Sequence, residues 1–311
     1  MKRIIPVLLA SMFMVGVTTA SAAGKPLNSI GVSVGDLANP FFVAIGRGAE
    51  ESAKKINPNV KVTTLSTKYD LNTQVGQIEN FIANKIDLLI VNAVDPKAIQ
   101  PTLEKAKAAG IVVVAVDVEA AGAQYTVESD NVVAGENACA YIAKKLNNKG
   151  NVVIVNGPPV SAVIDRVAGC KKVFAKTQIK ILSDNQDAKG SRDGGMQVMQ
   201  DLLTANPKID AVFAINDPTG IGAELAIKQA KREGIFITAV DGAPDAQVAL
   251  KTPGTIFEGS SAQNPYAMAS DAVKIGYDIM NGKTPKDTVK KLPVPLITKA
   301  NVKDYAGWVK E

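Results

Sequence analysis

Apolar and polar positions follow two alternating rhythms along the chain. Short, β-branched runs at residues 30–34, 61–65, 88–91, 111–116 and 151–156 separate stretches with the three-to-four-residue apolar spacing of amphipathic helices. Those helical stretches cover residues 40–56, 72–83, 96–109, 132–146 and 165–175. Strands that are apolar throughout, set between longer helices, predict parallel sheets covered on both faces. The expected fold class is therefore α/β and doubly wound.

The chain also resembles itself. The run from Asp87 through Asn92 to Asp95-Pro96 matches the run from Asp210 through Asn216 to Asp217-Pro218. Each is followed by a helix and then by a strand, from Gly110 to Asp117 in one case and from Gly234 to Asp241 in the other. The matched positions keep a nearly constant separation, which predicts two lobes of like topology. Any two strand–helix–strand units share a general likeness, but the shared Asn, the Asp-Pro step and the terminal Asp go beyond it. Asp117 and Asp241 would then both end a parallel strand, where ligands of open α/β sheets bind. With the lobes face to face, these two carboxylates and the Asn216 amide converge on one cleft.

The N-terminus carries a different signal. Met1-Lys2-Arg3 is basic, residues 4–17 are largely apolar, and Ala20-Ser21-Ala22 offers small residues to a signal peptidase. The apolar stretch is shorter than the roughly 20 residues a bilayer requires, and Pro6 interrupts it. A signal peptide over residues 1–22, cleaved after about Ala22, predicts export to the periplasm.

Composition narrows the chemistry. The 311 residues are 46% hydrophobic and 21% charged, as in a globular protein. There is no histidine, which excludes Ser-His-Asp and Cys-His catalysis and His-ligated metal sites. The formal charge of +5 shrinks once Lys2 and Arg3 are removed, and no basic stripe marks a nucleic-acid surface. Neither a Walker A loop nor a GxGxxG fingerprint is present. The only two cysteines, Cys139 and Cys170, lie in consecutive predicted helices separated by one strand. In an oxidising compartment they are expected to form a disulfide, the alternative being two buried thiols. Carboxylates and amides that converge without catalytic partners suit hydrogen bonds to hydroxyl groups.

These motifs together resemble a known family. The segment from Asp36 through Asn39-Pro40-Phe41-Phe42 is similar to the opening motif of ribose-binding-protein-like periplasmic sugar-binding proteins. Ser129-Asp130-Asn131, Asn216-Asp217, Val240-Asp241-Gly242 and Gln263-Asn264-Pro265 follow in that family's order. The resemblance implies the periplasmic binding protein type 1 architecture, two Rossmann-like lobes joined by three hinge crossovers. It implies a monomer, without cofactor, metal or catalysis, that closes on a monosaccharide or related polyol and delivers it to the permease of an ABC importer.

Carried over residue by residue, Asn39 hydrogen-bonds the sugar and Phe41 or Phe42 packs on its C–H face. Asp117 accepts from a vicinal diol, Arg166 donates to ligand oxygens, and Asn216, Asp241 and Gln263 complete the polar shell. Competing structural readings stand beside these. The phenyl rings are also core candidates, Arg166 a solvated residue at a helix start, and Asn216 and Asp241 turn or capping residues. The family's crossings near 129–131, 260–263 and 294–296 imply an N-terminal lobe of 23–129 plus 263–293 and a C-terminal lobe of 131–261 plus 296–311. Several positions depart from the ribose-type pattern. Val118 and Glu119 follow Asp117 where an Arg is common, Gly35 replaces a hydroxyl residue, and Gly190 and Val240 replace aromatics. Gln186, Arg192 and Asp193 are nearby replacement polar groups. The single tryptophan, Trp308, reads as packing the C-terminal tail, and so as a poor reporter of closure.

Three other roles would leave different marks in the sequence. A sugar-responsive transcription factor would begin with a helix-turn-helix. An exported carbohydrate-active enzyme would need Asp117 and Asp241 to work as an acid–base pair. A ligand sensor for a chemoreceptor or sensor kinase would share the closed-form surface with a transport protein.

Overall fold

The computed structural model describes residues 24–308; the expected signal peptide lies outside the described residues. The chain opens with β1 (Ser29–Val34), α1 (Pro40–Ile56), β2 (Lys61–Ser66), α2 (Leu71–Ala83), β3 (Leu88–Val91), α3 (Gln100–Ala108), β4 (Val112–Val116) and β5 (Tyr125–Ser129). It continues through α4 (Asn131–Lys145), β6 (Lys149–Val155), α5 (Ser161–Phe174), β7 (Gln178–Ser183), α6 (Arg192–Ala205), β8 (Ala211–Ala214) and α7 (Asp217–Gln229). Then come β9 (Phe236–Asp241), α8 (Pro244–Lys251), β10 (Phe257–Ala262), α9 (Pro265–Met280), β11 (Val289–Leu292) and β12 (Leu296–Thr298).

Among the described residues these strands form two six-stranded sheets, ordered β2-β1-β3-β4-β5-β11 and β7-β6-β8-β9-β10-β12. The two orders are equivalent, and β3–α3–β4 and β8–α7–β9 occupy matching places, as the internal resemblance predicted. Pairing is parallel except at β12, which runs antiparallel to β10 at the sheet edge. The chain passes between the sheets after β5, after β10 and after β11, giving the three crossovers. Each sheet is covered by helices on both faces, and the central strands are wholly buried. That explains why they read as unbroken apolar runs.

Two helices begin elsewhere than their patterns suggest. α3 starts at Gln100, not at 96, because the Asp95 carboxylate accepts the Lys97 and Ala98 amides and holds the intervening chain as a turn. α5 starts at Ser161, four residues ahead of the predicted 165, with no capping side chain. Arg166 therefore stands in the second helical turn, not at a helix start.

Cys139 of α4 and Cys170 of α5 form the expected disulfide, with Cα atoms 5.1 Å apart, and no free thiol remains among the described residues. The two helices pack so closely that a Cβ on Gly135 would collide with the Arg166 carbonyl oxygen, and one on Gly169 with that of Val132. Glycine is required at both positions.

Candidate functional site

The loops after β1, β3 and β4 of one sheet face those after β6, β8 and β9 of the other across a narrow cleft of about 70 Å³. Asn39, Phe41, Phe42, Asp117, Arg166, Asn216, Asp241 and Gln263 all line it. Residues widely separated along the sequence are thus brought to one place.

The first wall is set by the start of α1. Asn39 caps the helix, its Oδ1 accepting from the Phe41 amide at 3.0 Å, and Pro40 takes the first helical position. This places Phe41 and Phe42 at the helix mouth, edge to face with centroids 5.5 Å apart. Both rings are buried and both line the cleft, so neither serves the core alone.

Tyr69, which no sequence signal singled out, joins them. Its ring meets Phe42 at 6.1 Å, and its hydroxyl lies beside the Asn39 side chain. Burial and the nearby Asp117, Asp36 and Asp241 carboxylates push its pKa upwards, keeping the phenol neutral. Gly35 is the counterpart of this ring. A Cβ there would lie 2.7 Å from Tyr69 and 2.9 Å from Phe42. The missing hydroxyl residue at 35 is therefore what admits an aromatic from the β2–α2 loop.

The strand-end carboxylates form the floor. Asp117 adopts φ +68° and Asp241 φ +133°, both in the region disfavoured for side-chain-bearing residues. Strain of this kind persists where surrounding contacts enforce it, commonly at functional sites. Asn92 donates to Asp117 Oδ2 at 3.0 Å, while the buried Asp117 Oδ1 has no hydrogen-bond partner. Asn92 is a second residue that sequence reasoning left out, although the internal repeat pairs it with Asn216. Asp241 Oδ1 accepts from Gln263 Nε2 at 2.7 Å and lies 3.5 Å from Arg166 Nη1. The Oε1 of Gln263 is also buried and unpartnered.

Arg166 is only 4% exposed, which removes the solvated reading. Its Nε donates to Asn131 Oδ1 at 2.9 Å and its Nη1 to the Ile215 carbonyl at 3.0 Å. Asn216 caps α7 through the Thr219 amide and donates to the Gly190 carbonyl. Its capping reading holds even though the residue also borders the cleft.

Electrostatically the site is rich in acceptors. Asp217 is fully buried beneath the cleft, accepting from Ser260 Oγ at 2.6 Å and the Ala243 amide at 2.7 Å. Burial raises Asp117 and Asp241 from 3.8 to about 6, against the opposing pull of Arg166. It raises Asp217 further, with Asp241 adding to the effect. A cleft with two unpartnered buried acceptors and a row of aromatic rings is built to receive hydroxyl donors and a C–H face. Among the described residues, no group of three potential ligands is placed to hold a metal ion.

The departures from the ribose-type pattern resolve differently from one another. Val118 and Gly190 border the cleft. Val240 is wholly buried in the second lobe's core, so its side chain leaves no gap there. Arg192, ion-paired to Asp245 at 2.7 Å, and Asp193 lie at the outer mouth, while Gln186 lines neither part. Trp308 does more than tie down the tail. Its indole Nε1 donates to the Asp241 carbonyl at 2.9 Å, its ring stands 5.7 Å from Phe41, and it packs against cores of both lobes.

Comparison with known proteins agrees with this geometry. The family described as periplasmic binding protein domain matches residues 30–284. The ribose import binding protein of Bacillus subtilis is 33% identical over 302 residues, covering 93% of this chain and 97% of the relative. A xylitol-binding protein of Mycolicibacterium smegmatis is 33% identical over 299 residues, covering 92% and 83%. Among solved structures, a solute-binding protein of an ABC transporter from Actinobacillus succinogenes with bound D-allose superposes with a TM-score of 0.81. It is 29% identical, covering 89% of this chain and 100% of that one. One from Bacillus halodurans with bound myo-inositol reaches 0.82 at 27% identity, covering 91% and 99%.

Proposed function

This chain belongs to the periplasmic binding protein family, and on that premise we propose that it captures a monosaccharide or related polyol between its lobes and hands it to an ABC importer. The observation that carries the reading is the pair of buried, unpartnered acceptors, Asp117 Oδ1 and Gln263 Oε1, in a cleft walled by Phe41, Phe42 and Tyr69. Ligand hydroxyls would satisfy both oxygens and Arg166 would donate to a ligand oxygen. Asp241 and Asn39 would complete the polar shell, while Asn216 mainly holds the Gly190 loop in place. The family consists of solute-binding proteins, and we assign this chain no reaction.

The lobes, 23–129 plus 263–293 and 131–261 plus 296–311, would close about the three crossovers. Export through residues 1–22 places this in the periplasm. Low-micromolar affinity needs only about −8 kcal/mol, which a few charge-assisted hydrogen bonds and one stacked face supply.

A thermal-shift screen of refolded, ligand-stripped protein tests the reading against pentoses, hexoses, furanose-favouring sugars and cyclic polyols. A ligand at about a thousand times its Kd adds about 4 kcal/mol, so one stereochemical series should raise Tm by several degrees. No shift with any of them overturns the sugar and polyol reading and leaves family membership standing.

A further inference from the structure

We propose that the ligand is a deoxy sugar, held with its methyl group against an apolar wall formed across the two lobes. This rests on the sugar reading above and names the class of ligand within it. The polar groups of the cleft do not surround it evenly. One stretch is made of Val118, from the loop after β4, together with Pro158 and Val160 from the segment leading into α5, Ala162 and Val163 in its first turn, and Ile215 just after β8. Val163 lies one helical turn before Arg166, and the Ile215 carbonyl accepts from Arg166 Nη1. The apolar stretch therefore begins where the guanidinium ends.

It is a continuous surface although two lobes build it. Ala162 packs into the same cluster as Val118, and Val160 packs against the cores of both lobes. The Glu119 amide donates across the boundary to Ser161 Oγ at 3.0 Å. None of the six side chains carries a hydrogen-bonding atom. The backbone beneath them is largely engaged within the protein. The Val118 amide donates to Val116, that of Val160 to Pro158, and that of Ile215 to Val155. The Val160 carbonyl accepts from Val163 and Ile164, and Pro158 has no N–H at all.

A hydroxyl pressed against this surface exchanges its hydrogen bonds to water for none, whereas a methyl gains burial without that cost. The unpartnered Asp117 Oδ1 and Gln263 Oε1 impose the opposite demand elsewhere in the cleft, where donors are required. The ligand is accordingly two-sided, with hydroxyls along one edge and only carbon and hydrogen at another. A 6-deoxyhexose or a 5-deoxypentose has that form, and its fully hydroxylated parent does not.

The test compares sugars that differ only by the hydroxyl, using isothermal titration calorimetry on the full mature protein. The pairs are D-fucose with D-galactose, L-rhamnose with L-mannose, and 5-deoxy-D-ribose with D-ribose. In the pair whose ring stereochemistry fits, the deoxy member is expected to bind 10- to 100-fold more tightly, the range an apolar pocket achieves against an added hydroxyl. Val118→Thr is nearly isosteric and brings a hydroxyl into the wall, so in a folded variant the ratio should shrink to a few-fold. Equal or tighter binding of the hydroxylated member overturns the inference, as does a ratio unchanged in Val118→Thr. A ligand found only among fully hydroxylated solutes overturns it while leaving the sugar or polyol reading intact. No binding by any sugar or polyol overturns both.

Discussion

Asp117 and Asp241 occupy equivalent strand ends in the two lobes, and both are held in strained backbone conformations with their carboxylates buried. Burial makes each harder to ionise in the folded protein than in the unfolded chain, moving its pKa from 3.8 to about 6. The sign of the consequence follows from proton linkage. Ionising these groups weakens the ligand-free protein above about pH 6, and that cost disappears as the pH falls below 3.8. Hydroxyls donated by a ligand favour the ionised form, so binding expels protons where the carboxylates are partly protonated. Affinity should therefore decline from pH 7 to pH 5, by up to about tenfold per pH unit for each carboxylate titrating. Calorimetry across that range checks it, and a flat profile would mean the carboxylates do not meet the ligand. Asp117→Asn keeps the shape, tolerates positive φ and removes the charge. It should weaken binding by about 1–2 kcal/mol and flatten the pH profile, with a Tm equal to or above that of the parent.

At the scale of elements, the α4–α5 pair does most to place the site. Gly135 and Gly169 let the helices touch, the 139–170 disulfide joins them, and Asn131 at the start of α4 orients Arg166 of α5. Arg166 is thus positioned by a helix–helix contact, unlike the loop-borne Tyr69. The disulfide spans a sequence separation of 31 residues, for which loop closure alone corresponds to about 3–4 kcal/mol. Reduction, or a Cys139→Ala/Cys170→Ala variant, should lower the unfolding free energy by about 2–4 kcal/mol in urea titrations. An unchanged midpoint would show that glycine-mediated packing alone sets the helix pair.

Over the whole molecule, binding and closure meet at two small contacts outside the polar shell. The Glu119 amide reaches Ser161 Oγ from the opposite lobe, so Ser161→Ala should weaken ligand binding by about 1 kcal/mol, some fivefold, through the closed state alone. Titration calorimetry of the variant would detect this, and unaltered affinity would mean the contact does not bias closure. Trp308 touches Phe41 on one side and the Asp241 backbone on the other. Its emission should therefore change on ligand addition, and the change should vanish in Trp308→Phe; a constant spectrum with a bound ligand would place closure away from this ring.

The periodicity of apolar positions and the internal resemblance were enough to determine the doubly wound sheets and the two like lobes, because strand and helix periods are local properties. Asn39-Pro40 announced the start of α1 since its capping chemistry is itself sequential. α5 carried no capping side chain, so its start at Ser161 was not readable and Arg166 was assigned to a helix start. Asp117, Asn216 and Asp241 were legible as strand ends along the chain, whereas Asn39, Phe41, Phe42, Arg166 and Gln263 were implied by the family resemblance. Tyr69, Asn92, the Val118–Val160 wall and the double contact of Trp308 were legible in neither way. Each depends on which side chains from distant segments face one another once the lobes meet, and such distances exist only in the tertiary structure. Val240 illustrates the converse. It is adjacent to a site residue in sequence, yet the alternation of a strand turns its side chain into the core.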